Sequence, residues 1–488
     1  MSQSESASPP KRFRRGFFVD PDTGSPTRSA LFLGCTVLAL LATYFLGDSP
    51  DLEPAARRAL FILVLSVLLW VTEVIPAYSV GILVIALQIA LLGDPETGVF
   101  AESEKDWEQF VTVLGHPLIW LFFGGFVLAA GMATCGLDRL LAAWLLPRFG
   151  ERPAAVLLGL MLTTFTLSMF MSNTATTAMM LALLSPLLVT LKDDDNLARA
   201  LLIGTALAAN LGGMGSLIGT PPNAIAVGAL AELEPSQNIS FLEWLLLGVP
   251  PALLSMLFGW QFILRIYPAS SQSIQLEIPP DAEPVDDNGW KKSVVTIALL
   301  LTVGMWLTSG WHGVPTAAVS FIPIVLLTTT GVLGLGEIRG LSYDVLFLMA
   351  GGLALGQMVT QTGLSNWIVG HLPLEGLGQI GLILLLSYTT VLISNFMSNT
   401  AAANILIPLG ITLATGFESS VAVAIAFGAS AAMCLPVATP PNAMVYASGR
   451  CDAKDFIKTG LLMGLIVPAI GACWLWLVLP SLLGVGPE

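Results

Sequence analysis

SMFMSNTA, residues 168–175, recurs as SNFMSNTA, residues 394–401, with a single difference, Met169 against Asn395. The copies stand 226 residues apart, and both are embedded in strongly apolar sequence. Burying Ser, Asn and Thr together is costly unless each finds a partner. A polar cluster repeated at domain spacing therefore points to two halves of one structure presenting matched groups to one ligand.

The repeat extends outward from the octapeptides. Gly124-Gly125 aligns with Gly351-Gly352 and Gly136-Leu137 with Gly363-Leu364, both at a spacing of 227, and GTPPNA (219–224) aligns with ATPPNA (438–443) at a spacing of 219. Four matches in the same order, with a small drift in spacing, are what duplication followed by loop change gives.

Of the 488 residues, 55% are hydrophobic and 11% charged, against roughly 25% charged in a soluble domain. Apolar runs approach the ~20 residues needed to span a bilayer as a helix, and Leu- and Ala-rich runs without period-2 alternation exclude a β-barrel. The expected fold is an all-α polytopic membrane protein, with about 11 transmembrane helices and two re-entrant hairpins. A polar tail (1–28) precedes a first helix and loop (29–56). Repeat 1 (57–267) contains a hairpin at 153–191, a linker occupies 268–292, and repeat 2 (293–485) contains a hairpin at 377–414. With the N-terminus cytoplasmic, Arg139, Arg148, Arg152, Lys192, Arg199, Arg265, Lys291, Lys292, Arg339, Arg450, Lys454 and Lys458 fall inside, and Arg57, Arg58 and Lys105 outside. That bias follows the positive-inside rule. Five crossings and one hairpin per repeat would make the halves inverted.

Several features read as structural. Cys35, Cys135, Cys434, Cys451 and Cys473 are scattered without metal-ligand spacing, as expected of small apolar side chains. The net charge of −13 comes largely from acidic loops such as 102–108 and 281–287. Asp193–Asp195 reads as a solvated turn. His116, His312 and His371 read as helix-end residues, Trp107, Trp120, Trp306 and Trp311 as interfacial belts, and the Gly-Gly pairs as close helix contacts. No basic domain supports nucleic-acid binding.

The chemistry lies at the breaks. A helix interrupted inside a membrane leaves backbone groups unpaired, tolerable only beside a cavity or ligand. The helix following each Ser-Asn-Thr offers free N–H groups and a positive dipole end to an anion. Asn amides and Thr hydroxyls add directed donors. Two such tips facing each other suit a small dicarboxylate. Pro221-Pro222 and Pro440-Pro441 lack N–H groups and interrupt the apolar segments 197–231 and 419–448. The carbonyls near Gly219 and Ala438 there can join Ser and Asn oxygens around Na⁺. The breaks carry no Asp, Glu, Lys, Arg or His, which favours Na⁺ coupling or exchange over a proton relay.

At these residues the chain resembles the divalent anion:sodium symporter family, over roughly residues 30–485. The resemblance implies an inverted-repeat homodimer in the cell's inner membrane, with scaffold and transport domains that move substrate by an elevator motion. By position it implies a first Na⁺ site at Ser168, Ser172, Asn173 and the Gly219 carbonyl. A second would use Ser394, Met397 through its backbone, Asn399 and the Ala438 carbonyl. Substrate carboxylates would meet Asn173, Thr174, Asn399 and Thr400, with Pro440 packing nearby. The expected activity is Na⁺-coupled symport of C4-dicarboxylates. The alternatives are a dicarboxylate or tricarboxylate exchanger, or a sulfate carrier. A membrane-embedded hydrolase or transferase would need a nucleophile with a base or metal, and no His, Cys or carboxylate lies near either tip. A channel would conduct, whereas a carrier shows saturable exchange.

Overall fold

The structure is a computed structural model that describes residues 25–47, 52–93, 107–191, 196–233, 239–269, 289–371 and 377–483. The basic N-terminal tail up to residue 24, the acidic stretch 102–106, Asp193–Asp195 and most of the 268–292 linker lie outside these residues. The described residues form helices and no strand.

The first half opens with α1 (Ser25–Gly47), α2 (Pro54–Thr72), α3 (Ala77–Leu92), α4 (Glu108–Thr112), α5 (Pro117–Cys135) and α6 (Leu137–Leu145). It continues through α7 (Pro153–Ser168), α8 (Asn173–Thr190), α9 (Asn196–Met214), α10 (Pro221–Leu233) and α11 (Phe241–Ile266). The second half opens with α12 (Gly289–Leu307), α13 (Ser309–His312), α14 (Thr316–Val319), α15 (Phe321–Thr329), α16 (Leu335–Arg339), α17 (Tyr343–Gln361) and α18 (Leu364–His371). Then come α19 (Gln379–Ser394), α20 (Asn399–Leu413), α21 (Glu418–Ala431), α22 (Pro440–Ala447) and α23 (Ala453–Leu483).

Helix starts follow from local chemistry. Proline stands at the start of α2, α5, α7 and α22, where its missing N–H costs nothing and its φ is already helical. Ser240 and Glu243 close a capping box on α11, satisfying two N–H groups reciprocally. Gly136 ends α5 at φ 67°, a conformation open to glycine.

Among the described residues, nine helices are at least 18 residues long and apolar enough to cross a bilayer, with six shorter apolar helices of 10–17 residues. The short ones include α3, α7, α19, α20 and α21. α14 and α15 are separated by Ser320 alone, itself at φ −63°, ψ −16°, and together they form the sixth short apolar helix, Thr316–Thr329. α1 is exposed along most of its apolar length, whereas α9 is buried from Leu197 to Met214 apart from the half-buried Arg199 and α21 is buried from Ser419 onward. An apolar helix that stays exposed is suited to lipid; one buried all round is core.

Two packing patterns organise the molecule. α17 lies on α3, and there a Cβ on Gly351 would stand 2.1 Å from the Gly81 Cα, so the backbones touch. A Cβ on Gly124 would stand 2.6 Å from Ser320, a similarly tight contact. Both Gly-Gly pairs thus serve close helix contact, as their sequence suggests. Around the breaks, α7 and α8 pack on α9, while α19 and α20 pack on α21. The helices after the second breaks cross over. α10 packs on α20 and α21, and α22 packs on α8 and α9. Each half therefore completes the other. Trp306, expected at an interface, is instead fully buried. It stacks on Phe241 with centroids 4.8 Å apart, and its Nε1 donates to the Thr316 carbonyl at 3.0 Å.

Candidate functional site

Both Ser-Asn-Thr runs break a helix in the same way. Ser172 caps α8 with φ −63°, ψ 142°, and Ser398 caps α20 with φ −66°, ψ 142°. Their hydroxyls accept from the Ala175 N–H at 3.2 Å and the Ala401 N–H at 3.1 Å. Serine is suited to this position because its oxygen takes one of the orphan first-turn donors. The remaining first-turn N–H groups stay available to an anion. Asn173 and Asn399 then occupy the first helical position, and each bonds the serine that ends the preceding arm: Ser168 Oγ to Asn173 Oδ1, and Ser394 Oγ to Asn399 Oδ1, both at 2.7 Å. Ser168 and Ser394 are completely buried.

The Thr-Pro-Pro-Asn breaks are matched too. Asn223 Nδ2 donates to the carbonyls of Gly213 (2.9 Å) and Ser216 (2.7 Å). Asn442 Nδ2 donates to those of Met433 (2.9 Å) and Leu435 (3.0 Å). Ser216 and Leu435 are equivalent under the 219-residue offset. Each buried Asn thus clasps its own unwound loop, leaving other loop carbonyls free of the helical ladder. Pro440 begins α22 and is exposed. Thr439 caps that helix through its hydroxyl, which accepts from the Asn442 N–H at 3.3 Å.

The expected first cation residues converge. A Cβ on Gly213 would stand 2.6 Å from Asn173 Oδ1, and a Cβ on Gly219 would stand 2.4 Å from the Gly213 carbonyl oxygen. Asn173, Gly213 and Gly219 therefore share one tight corner. Ser168 Oγ closes it, 2.7 Å from both Asn173 Oδ1 and the Ala209 carbonyl. A hydroxyl has one proton and can serve one of these two acceptors. With the carboxamide oxygen turned to Ser168, three oxygens meet at this corner, a donor set that suits a small cation. Ser172 is at the tip, engaged as the cap. In the second half Ser394 joins Asn399, and Met397 is buried just before the cap. Ala438 lies in the loop clasped by Asn442. No hydrogen bond among the described residues joins Met397 or Ala438 to Asn399. Thr174 is exposed and Thr400 is 9% exposed, so the two tips differ in access.

One link between the halves escaped sequence reading. Asn210 Nδ2 on α9 donates to Thr439 Oγ1 at 3.1 Å and to Asn442 Oδ1 at 3.3 Å. An Asn in the apolar second half of α9 was the available signal, but its partner 229 residues away was not. Asn395, the single departure between the octapeptides, accepts from the Cys434 N–H at 2.8 Å.

Known proteins with similar sequences and folds are transporters. Two overlapping matches to the CitMHS citrate transporter family model cover residues 67–408 and 303–488. An uncharacterized transporter of Haemophilus influenzae is 31% identical over 457 residues, 88% of this chain and 93% of that protein. The sodium-dependent dicarboxylate transporter SdcS of Staphylococcus saprophyticus is 26% identical over 498 residues, 93% of this chain and 92% of its own. Among solved structures, the YdaH transporter of Alcanivorax borkumensis superposes with a TM-score of 0.55 at 16% identity, covering 84% of this chain and 98% of that one. MtrF of Neisseria gonorrhoeae gives 0.52 at 13% identity, with 84% and 97% covered. At these identities the likeness is one of fold. The protein is a membrane transporter rather than an enzyme. It belongs to the CitMHS citrate transporter family, related to the divalent anion:sodium symporters that its motifs resemble.

Proposed function

We propose that the protein is a secondary active transporter that carries C4-dicarboxylates such as succinate, malate or fumarate across the inner membrane with Na⁺. The observation that carries this reading is the doubled tip: two serine-capped helix starts, each with an Asn bonded back to a buried Ser and each beside an Asn-clasped loop. Two N–H-rich helix starts suit the two carboxylates of one small dianion. Substrate meets Asn173, Thr174, Asn399 and Thr400, with Pro440 against its carbon chain. Na⁺ is held as cargo by Ser168, Ser172, Asn173 and the Gly219 carbonyl. A second Na⁺ is held by Ser394, Asn399 and the Met397 and Ala438 carbonyls. The crowded oxygens at Ser168 support the first of these sites. The names of the staphylococcal relatives support both ions and substrate class.

In the proposed cycle Na⁺ binds first and orders the tips, the dianion follows, and a transport domain slides against a scaffold. The repeats are inverted, the N-terminus is cytoplasmic, and the chain works in the bilayer as a homodimer. The charge bias of the loops supports the orientation, and the resemblance supports the elevator and the dimer.

A second reading, citrate or other tricarboxylate transport, is favoured by the description of the matching family. Proteoliposomes decide between them. Uptake of labelled succinate is expected with Na⁺ outside and to fall to background when K⁺ replaces it. Undiminished uptake in K⁺ overturns symport, and citrate uptake exceeding succinate uptake moves the assignment to tricarboxylates.

A further inference from the structure

The octapeptides differ only at Met169 against Asn395, and under the 219-residue offset the break loops differ at most positions, among them Ser216 against Leu435. The structure ties these two differences together. In the first half the polar side chain sits on the loop: the Ser216 hydroxyl donates to the Met169 carbonyl on the tip. In the second half it sits on the tip: Asn395 Oδ1 accepts from the Cys434 N–H on the loop at 2.8 Å, while its Nδ2 donates to the Val391 carbonyl at 2.7 Å. Ser216 is fully buried and Asn395 is 7% exposed. Each half thus has one buried polar stitch from tip to loop. The two stitches run in opposite directions, and an apolar residue, Met169 or Leu435, fills the position left without a polar side chain.

The stitch sits where spacing matters. A cation held between tip oxygens and loop carbonyls is sensitive to small changes in their separation, because ligand distance and number set selectivity. Asn223 and Asn442 tie each loop to itself. The stitches tie loop to tip. Neither stitch residue belongs to the oxygen sets assigned above.

We propose that Ser216 and Asn395 are positioning residues that fix the tip-to-loop distance, and with it Na⁺ affinity, in the first and second half-sites respectively. The inference rests on the Na⁺ symport reading and adds to it the elements that tune each site separately.

The test uses the full chain, purified and reconstituted, as wild type, Ser216→Ala, Asn395→Met and the double variant Asn395→Met/Leu435→Ser. The double variant transplants the first-half stitch into the second half. Two quantities are read: the rise in melting temperature on adding Na⁺ without substrate, and the Na⁺ concentration giving half-maximal succinate uptake. The succinate KM is measured separately at saturating Na⁺. Losing one buried hydrogen bond to the loop is expected to raise half-saturating Na⁺ by about tenfold in each single variant. The succinate KM at saturating Na⁺ should stay within about twofold, as for an effect confined to the cation sites. The double variant should recover most of the Na⁺ affinity lost in Asn395→Met. Ser216→Ala removes a single oxygen and tests the idea in the other half should Asn395→Met fail to fold. Single variants with wild-type Na⁺ dependence overturn the inference alone. So do variants that lose thermal stability in Na⁺-free buffer with no change in Na⁺ affinity. A wild type whose melting and uptake both ignore Na⁺ overturns the symport reading, and this inference with it.

Discussion

The two break loops have the same plan and different walls. In the first half, residues 211–220 are buried throughout, with Gly213 and Gly219 letting backbone and Asn173 meet. In the second half the corresponding positions are Ala432 and Ala438, and Val437 beside them is 59% exposed. What the halves share is narrower than their motifs suggest: a serine cap, a Ser–Asn bond 2.7 Å long, and an Asn that clasps the loop. Those are the parts the proposed chemistry requires. The rest, including which residue carries the stitch, has drifted because packing can be solved in more than one way.

The strongest challenge to this comparison is to give the first half the second half's wall. In Gly213→Ala the new Cβ would meet Asn173 at 2.6 Å. Initial succinate uptake is expected to fall by about 100-fold, the effect of a few kcal/mol of overpacking at a ligand-bearing side chain. Ala432→Gly should stay within about threefold of wild type, since removing a methyl adds little more than backbone freedom. Equal losses in both variants would show that the walls do not differ in function.

A smaller effect concerns the clasps. Asn442→Leu takes a donor from the Met433 and Leu435 carbonyls and one acceptor from the Asn210 amide, whose bond to Thr439 remains, whereas Asn223→Leu takes a donor from loop carbonyls alone. Each stranded buried group costs about 1–3 kcal/mol. The midpoint of thermal unfolding in detergent should therefore fall further for Asn442→Leu. The reverse order would mean that the Asn210 bridge contributes nothing.

The smallest effect sharpens the likeness instead. Ser172→Ala and Ser398→Ala each remove one cap bond, worth about 1 kcal/mol. The two should weaken succinate binding by similar factors, read as dissociation constants at saturating Na⁺. A loss confined to Ser398→Ala, which is in neither proposed Na⁺ set, would make the second tip the sole anion contact, and one confined to Ser172→Ala would place that serine's weight on the first Na⁺ site.

The all-helical, many-spanning fold and the broken helices were legible in the sequence because both leave local marks. Length and apolarity mark spans, and Ser-Asn-Thr and Thr-Pro-Pro-Asn mark breaks. Pairing across the chain left no such mark. Nothing local says that α10 packs on α20, or that Asn210 meets Thr439. Trp306 misled for the same reason: a Trp near a helix end looks the same in sequence whether it faces headgroups or stacks on Phe241. The Met169–Ser216 and Asn395–Leu435 exchange was present in the sequence. It became readable only when the structure put tip and loop side by side.

The crossing of α10 and α22 has a consequence for how the protein is made. The floor under α8 and α9 is supplied by α22, whose last residue is Ala447. At synthesis rates of about 5–20 residues per second, the first half waits on the order of tens of seconds for that helix. Until then Asn210 on α9 has no Asn442 or Thr439 beside it. A chain stopped before residue 440 would hold the whole first octapeptide and its break, yet lack the neighbour that closes them. By the same logic, a half-length ancestor could have been complete only as a pair of chains, each lending the other its last short helix.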